Sequence, residues 1–407
     1  MSLTTPLPLG FRWTSATASI KASGKPDVAL AVADTPANAA AMFTSNQLVA
    51  APITIDRAHL AATASVVRAA LVNAGNANCA TGQPGIDACQ QTCDALALAL
   101  NAPAAEVFPS STGIIGVPFP AEKLIAALPA AISTLGKTPG HAESFATAIL
   151  TTDTHSKIAQ ATFTVDGHPV RLFGCAKGAG MIGPQLLGNP PLPHATMLVY
   201  LFTDLAATPA QLAAMLTPAV ESSFNAISID GDMSTNDTVL LLASGASHVE
   251  ATPAAAALFQ SALNEVCASL AHQIVDDGEG VTHVVTIEIT GTKTDADARR
   301  IARTIGESPL CKTAWSSADP NWGRLLAAAG RAGVAFNPAD VTITIAGLPV
   351  FAHGTRSPAF DEAATHAAMS QRTYTIALNF GQGPGHTRFL TCDLTHDYVS
   401  INADYSS

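Results

Sequence analysis

The residues from Met197 to Phe202 read Met-Leu-Val-Tyr-Leu-Phe, and this run restricts the fold more than composition can. Short, apolar and rich in β-formers, it predicts a buried strand. Thr196 opens it, directly after a loop rich in glycine and proline at 183–193. Threonine is a good strand opener, so Ala195-Thr196 alone is a weak signal. Its chemistry is more telling. A threonine hydroxyl is a poor nucleophile unless a base adjoins it, and cutting the chain just before the residue turns its own α-amine into that base. Such an amine titrates near ~7.7–8.0, whereas lysine sits near ~10.4.

At 407 residues the chain suits two domains or lobes. Alanine swells the 48% hydrophobic fraction, so a mean hydropathy of +0.28 describes a small-residue interior. No apolar run approaches the ~18 residues of a membrane span, which predicts a soluble protein. Met1–Pro6 lacks the basic start and apolar core of a secretion signal, which predicts cytoplasmic residence. The formal charge of −11, with no basic cluster, argues against nucleic acid or anionic membrane as partner. The seven cysteines, at 79, 89, 93, 175, 267, 311 and 392, form no Cys-x-x-Cys pair. Cys89 and Cys93 share a helical face without a histidine nearby, which points to ordinary burial in a reducing compartment and to no metal.

Periodicity predicts a mixed α/β chain. Residues 27–33, 67–73, 238–243, 282–290, 341–345, 373–379 and 386–391 read as strands, and 158–175 as a hairpin turning at Asp166-Gly167. Helices are expected over 86–100, 120–131, 209–224 with Thr208 as N-cap, 253–274 and 295–305. Gly178-Ala179-Gly180-Met181-Ile182-Gly183 matches a dinucleotide fingerprint in letters only. Pro184, Pro190, Pro191 and Pro193 leave no room for the helix that would hold a pyrophosphate. Gly136-Lys137-Thr138 lacks the first glycine of a phosphate loop, since residue 131 is alanine. Nucleotide binding is therefore not expected, and the glycines at 178 and 180 permit a tight turn or a close backbone approach. Lys177, between a strand and that turn, suits a substrate carboxylate. Pro109 to Gly113 reads as a small polar turn. Asp230, Asp232, Asn236 and Asp237 lack calcium-loop spacing and read as loop capping. Residues 319–324 read as a turn followed by a helix, and Tyr398 to Ile401 as a docked strand.

Lys177-Gly178-Ala179-Gly180-Met181-Ile182 followed by Ala195-Thr196-Met197-Leu198 resembles the self-cleavage region of the ornithine acetyltransferases, or glutamate N-acetyltransferases, of arginine biosynthesis. Ser111-Thr112-Gly113-Ile114-Ile115-Gly116, Thr151-Thr152-Asp153-Thr154, Phe224 to Asp230, Asp277-Gly278-Glu279-Gly280, Ala318 to Arg324 and Tyr398 to Tyr405 resemble that family in its order. The resemblance implies a two-lobed, layered α/β sandwich, self-cleaved between Ala195 and Thr196 into an α fragment (1–195) and a β fragment (196–407). It implies Thr196 as nucleophile, Thr112 and Gly113 as oxyanion hole, and a substrate site of Thr151, Thr152, Lys177, Thr196, Glu279, Asn402 and Ser407. The implied reaction is ping-pong transfer of acetyl from N-acetylornithine to glutamate, without a cofactor, in an α2β2 assembly. Some family members also accept acetyl-coenzyme A. Two other readings stand beside this one: a self-processed aminopeptidase or amidase of related architecture, and an uncleaved protein that binds an amino acid. Leu187 to His194 looks like an insertion before the scissile bond. Each doubling of a flexible loop adds only ~0.6 kcal/mol of closure entropy, so the insertion bears on cleavage rate more than on folding. Trp315-Ser316-Ser317 is a second departure, where the family usually carries apolar residues and a glycine.

Overall fold

The computed structural model describes residues 3, 5–44, 46–186 and 197–404. The chain runs β1 (Phe11–Ala16), β2 (Val28–Phe43), α1 (Ala51–Ala62), β3 (Val66–Asn76), α2 (Gly82–Leu100), β4 (Val107–Ile114), α3 (Ala121–Ser133), α4 (Pro139–Ala148), β5 (Lys157–Val165) and β6 (His168–Lys177). It continues through β7 (Leu198–Thr203), α5 (Pro209–Ser222), β8 (Thr238–Ala243), α6 (Pro253–Asp276), β9 (Val284–Thr292), α7 (Asp295–Gly306), α8 (Pro309–Ser316) and α9 (Trp322–Gly330). Last come β10 (Thr342–Ile345), β11 (Leu348–Ala352), β12 (Thr355–Arg356), α10 (Glu362–Met369), β13 (Thr373–Asn379), β14 (Gly385–Cys392) and α11 (His396–Asp404).

These strands form two sheets, giving the layered, two-lobed α/β architecture expected. The first has eight strands in the order β4-β3-β2-β8-β7-β6-β5, with β1 paired to β2. The second has six, in the order β12-β11-β10-β13-β9-β14. All six residues of β7 are buried. Its Val199 and Leu201 pack with the residues of α5 and α6, while Leu198, Tyr200 and Phe202 pack on the opposite face with Phe11, Trp13, Phe145 and Phe173. A strand enclosed on both faces favours apolar side chains on each, which is why the run is continuous through Phe202. β7 and β8 follow residue 196 yet lie inside the first sheet, flanked by strands that precede it.

Local chemistry sets several boundaries. At the start of α5 the Thr208 side chain accepts from the Gln211 amide, and the Gln211 side chain bonds back to the Thr208 amide, forming a capping box. Asp166 and Gly167 turn the β5–β6 hairpin with φ of 50° and 83°, as a two-residue hairpin turn requires. In the second lobe, Ile301, Ala302 and Ile305 of α7 cover the sheet through a shared core with Val285, Ile287 and Ile289 of β9.

Two expectations are corrected. Pro109 to Gly113 is not a turn but the body of β4, which pairs parallel with β3 from Ala69–Val107 onward. β4 is an edge strand, the position in a sheet that tolerates proline. Tyr398 to Ile401 is not a strand but part of α11, with Val399 60% and Ile401 40% exposed. Helical spacing turns Tyr398 and Asn402 to one side. There the Tyr398 hydroxyl donates to Asp230 at 3.3 Å and the Asn402 amide donates to Glu279 Oε2 at 2.8 Å.

Candidate active site

An open cavity with about 650 Å³ of non-atom space lies where the C-terminal ends of β4 and β6 meet the loops before β5, before β8 and after α6. Thr112, Gly113, Thr151, Thr152, Lys177, Glu279 and Asn402 all line it, so seven residues singled out in the sequence are brought together. Ala195, Thr196 and Ser407, and the insertion at 187–194, lie outside the described residues. Met197, the residue after Thr196, is buried, and its carbonyl accepts from the Thr238 amide at 2.8 Å. Leu198 faces Lys177 across the antiparallel β6–β7 pair. The strand that follows Thr196 therefore begins beside the lysine of the cavity.

Gly113 has a φ of +130°, and a Cβ there would stand 2.3 Å from the Gly75 carbonyl carbon on β3. Only glycine permits that approach. The neighbouring Thr112 hydroxyl accepts from Lys177 Nζ at 3.2 Å. Lys177 is buried, and burial lowers its amine pKa, opposed chiefly by the negative charge of Asp153 and then those of Asp237 and Glu279.

The glycine-rich turn is tight for reasons visible in its contacts. Gly178 has a φ of +151°, and a Cβ on Gly180 would meet the Glu279 carboxylate at 2.5 Å. Asp230 accepts from the amides of Met181 at 2.7 Å, Ile182 at 2.9 Å and Asp232 at 3.0 Å, so it is the loop cap anticipated for this acidic cluster. No helix forms over 178–186, and the dinucleotide match has no structural counterpart there.

Other cavity residues escaped the sequence reading. Ser234 and Asn236 also line it, as does Met181. Behind the wall lies a buried ion cluster: Lys157 Nζ stands 2.7 Å from Asp153 Oδ1 and 2.6 Å from Asp277 Oδ2. The Asp153 to Lys157 spacing of i, i+4 was a visible signal for one pair, but β5 only begins at Lys157 and helical spacing had no helix to support it. Asp277, 120 positions away, had no local signal.

Comparison with known proteins shows the family. The ArgJ family profile matches residues 12–407. The arginine biosynthesis bifunctional protein ArgJ of Nitratidesulfovibrio vulgaris is 42% identical over 400 residues, spanning 98% of this chain and 99% of that one. The protein of the same name from Thermosynechococcus vestitus is 41% identical over 416 residues, spanning 98% and 96%. Among solved structures, ArgJ of Bacillus halodurans is 36% identical, with a TM-score of 0.49, over 52% of this chain and 100% of that one. Ornithine acetyltransferase of Mycobacterium tuberculosis, solved with ornithine, is 35% identical, with a TM-score of 0.39, over 44% and 94%. The chain belongs to the ArgJ family, the acyltransferases of arginine biosynthesis.

Proposed function

We propose that the chain moves an acetyl group from N-acetylornithine to glutamate through an acetyl ester on Thr196. The observation that carries the reading is the pairing inside one cavity of a buried cation, Lys177, with a carboxylate, Glu279, which suits substrates that bear both a carboxylate and an ammonium. The Thr196 hydroxyl first attacks the Ala195 carbonyl, and hydrolysis of that ester separates fragments 1–195 and 196–407 and frees the α-amine. The amine then takes the hydroxyl proton as Thr196 attacks the acetyl carbonyl of N-acetylornithine. The Thr112 hydroxyl and the Gly113 amide donate to the oxyanion, and donors of this kind are worth roughly 3 kcal/mol each. Ornithine leaves with the proton, and the glutamate amine attacks the ester. Lys177 and the threonines at 151 and 152 hold substrate carboxylate, Glu279 and Asn402 the amino end, and Ser407 is a further substrate-binding residue. Acetyl-coenzyme A forms the same ester when the Thr196 hydroxyl attacks its thioester carbonyl and the coenzyme A thiol leaves. The enzyme works in the cytoplasm as an α2β2 assembly.

The test is mass spectrometry under denaturing conditions. The wild-type protein should give fragments ending at Ala195 and beginning at Thr196, and N-acetylornithine without acceptor should add one acetyl group to the second. Thr196→Ala should give one chain. Equal processing in that variant, or acetyl only on the first fragment, would overturn the mechanism. Rapid loss of the ester to water without transfer to glutamate would favour the amidase reading.

A further inference from the structure

α11 is seated by polar contacts and not by a core, since none of its residues is buried. The chain reaches it from β14 through Asp393, a buried residue whose carboxylate accepts from the Thr282 and His283 amides at 3.0 Å each. Thr395, the residue before the first turn, then forms the joint. Its hydroxyl donates to Gly280 O at 2.7 Å, and its oxygen accepts from the Tyr398 amide at 3.4 Å, as an N-cap does for the third residue of a helix. Gly280 follows Glu279 directly and fits the joint closely: a Cβ there would stand 2.6 Å from the Tyr398 nitrogen and 2.9 Å from Thr395 Oγ1. Beyond the joint, the hydrogen bonds from α11 to other elements among the described residues run from the Tyr398 hydroxyl to Asp230 and from the Asn402 amide to Glu279. Glu279 is held in turn by its own amide, which donates to Ala179 O at 2.9 Å.

We propose that Thr395 is a positioning residue of the acetyl-transfer site: its one hydroxyl both caps α11 and ties the start of that helix to the loop bearing Glu279, and so sets Asn402 on the Glu279 carboxylate. The inference rests on the function proposed above. Thr395 does not line the cavity, whereas Asn402 and Glu279 do, so it acts on substrate through them. Asn402 lies seven residues on, about 10 Å along the axis at ~1.5 Å per residue, so a tilt of about 10° at the joint displaces its amide by about 2 Å. A bond of 2.8 Å does not survive that displacement. Little else resists the tilt. The bond from Tyr398 to Asp230 is 3.3 Å, longer than the ~2.5–3.0 Å usual between two oxygens. A helix of nine residues is also below the ~12–15 at which an isolated helix becomes even marginally stable, and α11 has no buried face to compensate.

The experiment compares steady-state acetyl transfer and hydrogen exchange in the full-length, processed enzyme. Thr395→Val keeps the shape and removes the hydroxyl, so KM for N-acetylornithine should rise roughly 3- to 10-fold, the equivalent of one neutral hydrogen bond, with kcat within about twofold. Thr395→Ser should restore KM. Thr395→Asp separates the two roles of the hydroxyl: its carboxylate caps the helix but has no hydrogen for Gly280 O, so KM should stay raised. In an Asn402→Ala background, Thr395→Val should add less than about twofold, because the residue through which it acts is already gone. A KM unmoved by Thr395→Val, full rescue by Thr395→Asp, or an undiminished further rise in the Asn402→Ala background each overturns the proposal, as does a fall in Tm with no rise in KM. Hydrogen exchange over residues 396–404 of the substrate-free protein reads the seating of α11 independently of turnover and should quicken in Thr395→Val; unchanged exchange there overturns the proposal whatever the wild type catalyses. A wild type without acetyl transfer would overturn the functional reading itself, whereas an active wild type with KM unmoved in Thr395→Val would overturn only the role of Thr395.

Discussion

Replacing Gly180 by alanine should damage substrate binding while leaving the fold intact. The added Cβ would stand 2.5 Å from Glu279 Cδ and Oε2 and 2.6 Å from Oε1. Ordinary contact begins near 3.4 Å, so the carboxylate must retreat by about 1 Å, a misplacement able to cost on the order of 10²-fold in an active site. Gly180 is not among the glycines with positive φ, so alanine meets no backbone strain there. The obstructing atoms are the far end of a flexible side chain, and Tm should change little. What is lost is the 2.8 Å bond from Asn402 and the aim of Glu279 into the cavity. A hydrogen bond to a charged group is worth about 1.5–3 kcal/mol. At about 1.4 kcal/mol per tenfold, KM for N-acetylornithine should rise roughly 10- to 150-fold. Steady-state transfer kinetics and a thermal melt on one preparation decide the matter. An unchanged KM with an unchanged Tm would refute the role of Glu279, and a collapsed Tm would refute the argument that a side chain gives way. Gly183→Ala is the contrasting case: its Cβ would stand 2.8 Å from the backbone of Gly231, so that variant should lose Tm.

Thr112→Val keeps the shape but removes both the oxyanion donor and the acceptor for Lys177, so kcat should fall about 10²- to 10³-fold while Thr112→Ser restores most of it; equal loss in both would show that packing matters and the hydroxyl does not. Arg303 donates to Pro184 O at 2.7 Å and Asn225 O at 2.9 Å, and the Asn225 amide donates to Leu186 O at 2.8 Å. These bonds pin the chain just ahead of the insertion, so Arg303→Ala should slow the appearance of two fragments on a denaturing gel several-fold, and unchanged processing would show that the anchor has no part in presenting the scissile bond.

Some of this molecule was legible residue by residue because short-range physics decided it. An all-apolar run has nowhere to go but a doubly covered strand, as β7 is; an Asp-Gly pair between alternating segments turns a hairpin; a threonine three residues before a glutamine caps α5. The convergence of Thr112, Lys177 and Glu279 on one cavity was legible only through resemblance, since no local spacing joins them. Tertiary structure decided the rest. Val107–Ile114 carries proline, two serines and a glycine, a composition that reads as a turn; it is a strand because β3 offers it a parallel ladder and its edge position tolerates Pro109. Tyr398 to Ile401 has the content of a strand, yet is helical in the fold, where Tyr398 bonds to Asp230 and Asn402 to Glu279. Nothing in the sequence joins Asp153, Lys157 and Asp277 to one another. Their burial is set by long-range contacts, and desolvation makes their pairing, and the state of Lys177 beside them, a property of the folded molecule alone.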